Sequence, residues 1–205
     1  MTPRHAVTEA DVRAAARAGR TLDLPAGAVV TPAARDLAGT LGVALRAAAG
    51  TEARTHGRTV AIGADHGGYP LKEQLKSVIA ESGCEVLDLG THDTQPVDYP
   101  DFAVAVARAV AQGRAWRGIM IDGAGIGSAM AANKIAGIRA ALCYDLSTAQ
   151  NAREHNDANV LTLGGTLIGT RLAVDIVRTF LSAAFGGGRH AKRVDKINAL
   201  DAGRG

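Results

Sequence analysis

Four short stretches carry residues able to hold an anion and move a proton. Asp122 to Gly127 reads DGAGIG and runs from an apolar segment into SAMAANK. Its glycines let backbone N–H groups approach an anion closely, at the positive end of a following helix. That arrangement suits a phosphate or the oxygen of an enediolate. A dinucleotide fingerprint competes, because Asp145 lies about twenty residues on, as such a motif requires. Against it, Ser128 stands where GxGxxG needs its third glycine. Asp65-His66-Gly67-Gly68 precedes Pro70, and Asp65 reads either as a helix cap or as a site carboxylate beside a histidine. His155-Asn156 joins a proton donor near neutral pH to an amide that can hold a hydroxyl or oxyanion. Finally, Arg189 and Arg193 follow the run Gly186-Gly187-Gly188. Spaced i,i+4, they converge on one phosphate if the segment is helical, or form a solvated basic tail if it is not. The glycine run would let such a helix swing out and reach a neighbour.

These residues need a frame, and the chain from Thr59 onward supplies a regular one. TVAIGA, CEVLDLG, RGIMIDG, RAALCYD and NVLTLGG are apolar runs that mostly end in Gly or Asp. Between them lie segments of helical period, in which Leu71, Leu75, Val78 and Ile79 share a face, as do Phe102, Val106, Ala109 and Val110, and Leu172, Ile176 and Phe180. Alternation of this kind predicts an α/β fold, a parallel sheet with helices on both faces, whose ligands bind at the carboxyl ends of the strands. Residues 46–58 are small and polar and suit a linker, which gives an extension over 1–45 and a main domain over 59–205. In the extension, Thr8 with Asp11 signals a helix over about 9–18, and Thr31-Pro32 signals another that stops near Gly42. Two short helices around LDLPAGAVV bury little. The expectation is a mostly helical appendage that docks on something, not an independent domain.

Composition narrows the function. The chain has 205 residues, 47% hydrophobic but 3% aromatic, with 23 Lys and Arg against 20 Asp and Glu. Few aromatic faces and scattered basic residues argue against nucleic-acid stacking and against an aromatic sugar platform, so a bound sugar must be held by polar groups. Cys84 and Cys143 form no CxxC pair, which points to a reducing compartment and gives no thiolate metal site. No apolar run approaches membrane-spanning length, and the opening MTPRHAVTEADVR is too charged for a signal peptide. A cytoplasmic protein without metal or cofactor is expected.

Taken in order, GADHGGYPLKEQL, DYP at Asp98-Tyr99-Pro100, GAGIGSAMAANKIAGIRAAL, AREHNDANVLTLGG and GGRHAKRV resemble the type B ribose-5-phosphate isomerases and their galactose-6-phosphate isomerase relatives. The likeness covers roughly residues 59 to 200. It implies a three-layer α/β/α sandwich on a five-stranded parallel, Rossmann-like sheet, and a homodimer, or dimer of dimers, whose sites draw on both chains. The reaction it implies is metal-free aldose–ketose isomerisation of a phosphosugar through an enediolate, with ribose 5-phosphate and ribulose 5-phosphate as the default pair. Carried over residue by residue, Asp65, His66 and Tyr99 bind sugar, and the backbone of Gly123, Ala124, Gly125, Ile126 and Gly127 stabilises the enediolate. His155 opens the ring, Asn156 holds a hydroxyl, and Arg189 and Arg193 clamp the phosphate.

Three departures bear on the chemistry. Asp122 stands where the most similar ribose-phosphate isomerases have a basic cysteine, Ala124 replaces a common hydroxyl residue, and Gly164-Gly165-Thr166 falls where an arginine is usual. Asp122 is accordingly read as the base. One galactose-6-phosphate isomerase subunit type also has Asp here, but it lacks the histidine that this chain keeps at His66. Two other readings stay open: a non-catalytic phosphosugar-binding or assembly subunit that needs a partner isomerase or shell protein, and a nucleotide-binding module. The stretch AVVTPAARDLAGTLGVAL is similar to segments on enzymes of bacterial microcompartments. That implies encapsulation or assembly through residues 1–45, although a plain dimer-stabilising arm would look the same.

Overall fold

The structure, a computed structural model, describes residues 6–19, 21–24, 29–47 and 58–203. The chain divides into two compact units, Met1–Glu52 and Ala53–Gly205.

In the first unit the elements are β1 (Ala6–Val7), α1 (Glu9–Arg17), β2 (Leu22–Leu24), β3 (Val29–Val30), α2 (Pro32–Leu41) and β4 (Leu45–Ala47). Both expected helices are present. The Asp11 carboxylate accepts from Thr8 N and Thr8 Oγ1, each at 2.8 Å, and Thr31 Oγ1 accepts from Ala34 N at 3.2 Å. The strands β1 and β4, and the pairing they make, have no signal in the sequence pattern. β1 runs parallel to β3 and β2 parallel to β4, with Val7 opposite Val30 and Leu22 opposite Leu45. Each of those partners is 23 residues from the other, as are Thr8 and Thr31, and Gly19 and Gly42, which both take positive φ just beyond their helices. The unit is therefore two copies of one strand–helix–strand motif. Val12, Ala15, Ala34, Ala38 and Val43 form a core within the unit. β4 reaches two residues into the expected linker, most of which lies outside the described residues.

In the second unit five strands alternate with helices: β5 (Arg58–Ala64), α3 (Tyr69–Glu81), β6 (Cys84–Asp88), α4 (Tyr99–Ala111), β7 (Arg117–Asp122), α5 (Ile126–Ala132), β8 (Ala140–Leu142), α6 (Leu146–Glu154), β9 (Val160–Gly164), α7 (Thr170–Ser182) and α8 (Ala191–Ala199). All strands are parallel, in the order β6-β5-β7-β9-β8. The five apolar runs are these five strands, and the fold is the Rossmann-like α/β/α sandwich expected. Side-chain alternation along the central strands sends Ile62, Ile119 and Ile121 into one core with α3, α6 and α7, and Ala61 into the other beneath α4. The anticipated α3 face, Leu71, Leu75, Val78 and Ile79, is buried.

Strand order fixes where a ligand can sit. From β5 the chain moves outward to β6, and from β7 it moves the other way. A crevice opens between the carboxyl ends of β5 and β7, at the switch in direction. Asp65 follows one of those ends and Asp122 closes the other.

Candidate active site

A cleft of about 200 Å³ at that crevice is lined by Asp65, Tyr99, Asp122, Gly123, Ala124 and Gly127. Backbone approach shapes it. Gly125 takes φ 79°, and a methyl group there would stand 2.5 Å from Leu142 and 2.8 Å from the carbonyl carbon of Leu163, so only glycine lets the loop lie down on β9. A methyl on Gly127 would stand 2.5 Å from the Tyr99 phenol, which places that ring against the start of α5.

The end of the sheet grips the loop by its carbonyls. Asp122 O accepts from Gly165 N at 2.7 Å, Gly123 O from Thr166 Oγ1 at 2.6 Å, and Ala124 O from Tyr144 Oη at 2.7 Å. Held this way, the N–H groups of Ala124 and Gly125 turn inward, and what they meet is the Asp122 carboxylate. Oδ1 accepts from Ala124 N at 2.8 Å and from Gly125 N, while Oδ2 accepts from Ser128 N at 3.1 Å and from Ser128 Oγ. Four donors fill about the four lone-pair positions a carboxylate offers.

Both oxygens of Asp122, which the sequence reading makes the base, are thus engaged by donors of its own loop. A base needs a lone pair aimed at the carbon-bound proton, whereas the Asp122 lone pairs organise the loop. The same bonds also trim the expected amide cradle of Gly123 to Gly127, since Ala124 and Gly125 donate to Asp122. Among the described residues the N–H groups of Gly123, Ile126 and Gly127 donate to nothing. They remain available to an anion.

Asp65 is 8% exposed. Its Oδ1 accepts from Gly68 N at 2.8 Å, so it does brace the turn into α3, but Oδ2 has no hydrogen-bond partner among the described residues. A methyl on Gly67 would stand 3.4 Å from Asp65 Oδ1 and 3.8 Å from Gly123 N, so Gly67 borders the space between them. His66 Nδ1 accepts from Val97 N at 3.2 Å, which in the neutral ring puts the proton on Nε2. The dinucleotide reading loses its acidic partner, because Asp145 Oδ1 accepts from Thr148 N at 2.7 Å and caps α6.

The remaining candidates gather elsewhere. His155 ends α6 and Asn156 follows it, on the side where β9 begins. The His155 ring stacks on His190 with centroids 4.1 Å apart, and its Nδ1 lies 2.8 Å from Asn151 Nδ2. Arg189 and Arg193 are exposed and pair with no carboxylate among the described residues. α8 begins at Ala191, so Arg189 lies in the turn before it and Arg193 in the helix, and the condition under which the two would share one helical face is not met. This group clusters around the strand starts, where Arg117, the first residue of β7, and Arg153 both donate to Ala183 O. β7 has six residues between that end and Asp122, a span of about 16 Å. One chain thus places Asp65, His66, Tyr99 and the glycine loop at one end of the sheet and His155, Asn156, Arg189 and Arg193 at the other. A larger cavity of about 590 Å³ lies beside β8, α6 and α8, and of the candidates it takes in Asn156 alone.

Sequence reasoning gave no role to Ser128, Tyr144 or Thr166. Ser128 had a usable signal, a hydroxyl three residues into a helix entered through a glycine turn, which marks a capping partner. Tyr144 and Thr166 act through the ends of neighbouring strands, and no local spacing reveals that.

Comparison with known proteins matches the profile of the Ribose/Galactose Isomerase family to residues 60–197. Ribose-5-phosphate isomerase B of Escherichia coli is 45% identical over 144 residues, which cover 70% of this chain and 97% of that protein. D-erythrulose-4-phosphate isomerase of Pectobacterium atrosepticum is 42% identical over 141 residues, covering 68% and 92%. Among solved structures, Clostridium thermocellum ribose-5-phosphate isomerase B superposes with a TM-score of 0.70 at 50% identity, covering 72% of this chain and 99% of that one. The duplicated first unit falls outside the family span.

Proposed function

This chain belongs to the ribose/galactose isomerase family and is a sugar-phosphate isomerase, and on that premise we propose that it interconverts ribose 5-phosphate and ribulose 5-phosphate in the cleft over the glycine loop. The observation that carries the reading is the meeting, in one small cleft, of unpaired amides at Gly123 and Gly127 with a carboxylate that keeps a free oxygen, Asp65 Oδ2. The base takes the proton from C2 of the open aldose, and the electron pair moves into the C1–C2 bond. Charge then gathers on the oxygen at C1, where preorganised N–H donors act most strongly. The hydroxyl proton then passes from O2 to O1, which shifts the charge to O2, and returning the carbon-bound proton to C1 closes the C2 carbonyl and gives the ketose. In this reading Asp65 carries the proton, His66 and Tyr99 position hydroxyls, and Asp122 holds the amides in place.

His155, Asn156, Arg189 and Arg193 serve the same reaction from a second copy, as ring-opening donor, hydroxyl partner and phosphate anchors. Their separation from the cleft by the length of the sheet supports this. Anchoring the remote phosphate contributes binding energy that positions C2 against the base. For residues 1–45 the assembly or encapsulation reading is supported by a unit with its own core outside the catalytic family span.

Two measurements test the proposal. Purified protein in D2O should incorporate deuterium at C2 of ribose 5-phosphate, and absence of exchange with any phosphosugar of four to six carbons refutes it. Faster turnover of a four-carbon ketose phosphate would overturn the pentose assignment and leave the reaction class standing. Mixing inactive Asp65→Asn with inactive Arg193→Ala should restore about a quarter of wild-type activity, since half of random dimers are mixed and each has one intact site. No restoration would place all the residues of a site in one chain.

A further inference from the structure

We propose that Asp157 is a positioning residue that locks the His155–Asn156 loop to the arginine-bearing segment, so that ring-opening donor and phosphate anchors reach the second copy as one rigid body. This rests on the shared-site reading above and assigns a role to a residue that reading leaves unused.

Asp157 is the single non-glycine residue with positive φ among those described, at 47°. Such a backbone is costly for a side chain unless the surroundings enforce it. What enforces it is a pair of guanidinium groups. Asp157 Oδ1 accepts from Arg153 Nη1 at 2.9 Å and Oδ2 from Arg139 Nη2 at 3.1 Å, while its carbonyl accepts from Arg139 Nε at 3.0 Å. Each arginine then reaches toward the segment that carries Arg189 and Arg193. Arg153 Nε donates to Ala183 O at 3.4 Å, three residues before the glycine run, and Arg139 Nη1 donates to Asn198 Oδ1 at 3.0 Å on α8. The other side of the same junction is closed by the His155–His190 stack and by Gly186 N donating to Glu154 O at 2.9 Å. The glycine run that sequence analysis read as a swinging hinge is therefore pinned on both flanks.

Electrostatics makes Asp157 hard to replace. Arg153 and the neighbouring Arg117 are 6% and 2% exposed. Burial disfavours the charged form of both, with Arg153 adding to the effect on Arg117, and Asp157 opposes it at each. It is the carboxylate that pairs with both Arg139 and Arg153. Removing its charge would leave the buried guanidinium groups of Arg117 and Arg153 with carbonyl oxygens and the Trp116 and Phe180 rings but no paired carboxylate, and such groups rearrange toward water.

Asp157→Asn is a sharp perturbation because Asn accepts left-handed backbone well and keeps the side-chain shape. Inorganic phosphate, assayed as a competitive inhibitor of isomerisation, reports the anchors directly. The expected result is a rise of about tenfold in both the KM for ribose 5-phosphate and the Ki for phosphate, moving together. Asn198→Ala, which cuts only the branch to α8, should raise the same two constants while kcat stays within about twofold, a split that general loss of stability would not produce. Should Asp157→Asn fail to fold, Asn198→Ala carries the test alone. An unchanged phosphate Ki in a folded variant overturns the proposal. Wild-type protein without isomerase activity overturns the functional reading instead, so the two failures are distinguishable.

Discussion

Replacing Asp122 by Asn separates a loop organiser from a base. The substitution keeps one oxygen for Ala124 N and Gly125 N but sets an NH2 against Ser128 N–H, a donor facing a donor. Ser128 is 0% exposed, so water cannot readily repair the mismatch. Converting charge-assisted bonds to neutral ones and stranding one buried N–H costs about 3 kcal/mol together. For a unit of this size that lowers Tm by about 6–12 °C. Asp65→Asn should do the reverse, because an amide oxygen can still accept from Gly68 N: Tm stays nearly fixed, while kcat falls by about 10² to 10⁴, the usual cost of losing a general base. The assay is calorimetry beside steady-state kinetics on both variants. If Asp122→Asn melts with the wild type yet loses C2 exchange, while Asp65→Asn remains active, Asp122 is the base and the assignment argued from its four hydrogen bonds is wrong.

Two further outcomes follow from neighbouring features. Burial pushes the Asp88 carboxyl up, but Lys72, Gly90 N–H and Lys76 more than offset it and hold it at about 2. A folded value below the ordinary 3.8 gives stability that is complete above that value and lost as pH falls toward 2. The Tm difference between wild type and Asp88→Asn should therefore close between about pH 5 and pH 2, and a gap that stays constant contradicts the shift. Gly67→Ala meets only ordinary contacts at 3.4 and 3.8 Å, so the protein should melt within about 1 °C of wild type. Its methyl group intrudes between Asp65 and Gly123 N, and kcat/KM should drop by about tenfold; full activity would place the reacting carbons elsewhere.

The sheet was legible because each strand announces itself twice, by β-branched runs such as VAI and IMI and by the Gly or Asp that ends them. The helices between were legible by period. Glycines at 125 and 127 are read from the sequence as room for an anion, and in the structure they also let the loop pack on Leu142, Leu163 and Tyr99. What the chain could not reveal was the direction a carboxylate faces. Asp122 looks the same on paper whether its oxygens meet a substrate or its own amides, and the choice depends on Gly165, Thr166 and Tyr144 turning the loop from strands distant in sequence. Asp157 was hidden for a similar reason, since Arg139 and Asn198 are brought to it only by the packing of β8, α6 and α8. In the first unit, β1 and β3 are two residues each, too short for any alternation to register, so the duplication shows in the sequence through Thr8 with Thr31 and Gly19 with Gly42, each pair 23 residues apart.

That duplication constrains how the unit can come apart. Every strand in one copy finds its ladder partner in the other and none within its own, as Val7 opposite Val30 and Leu22 opposite Leu45 attest. Apart from the other copy, either half would leave its strand amides without these ladder partners and its helix without the shared core. Two peptides cut between the halves should therefore stay associated through those ladders and that core.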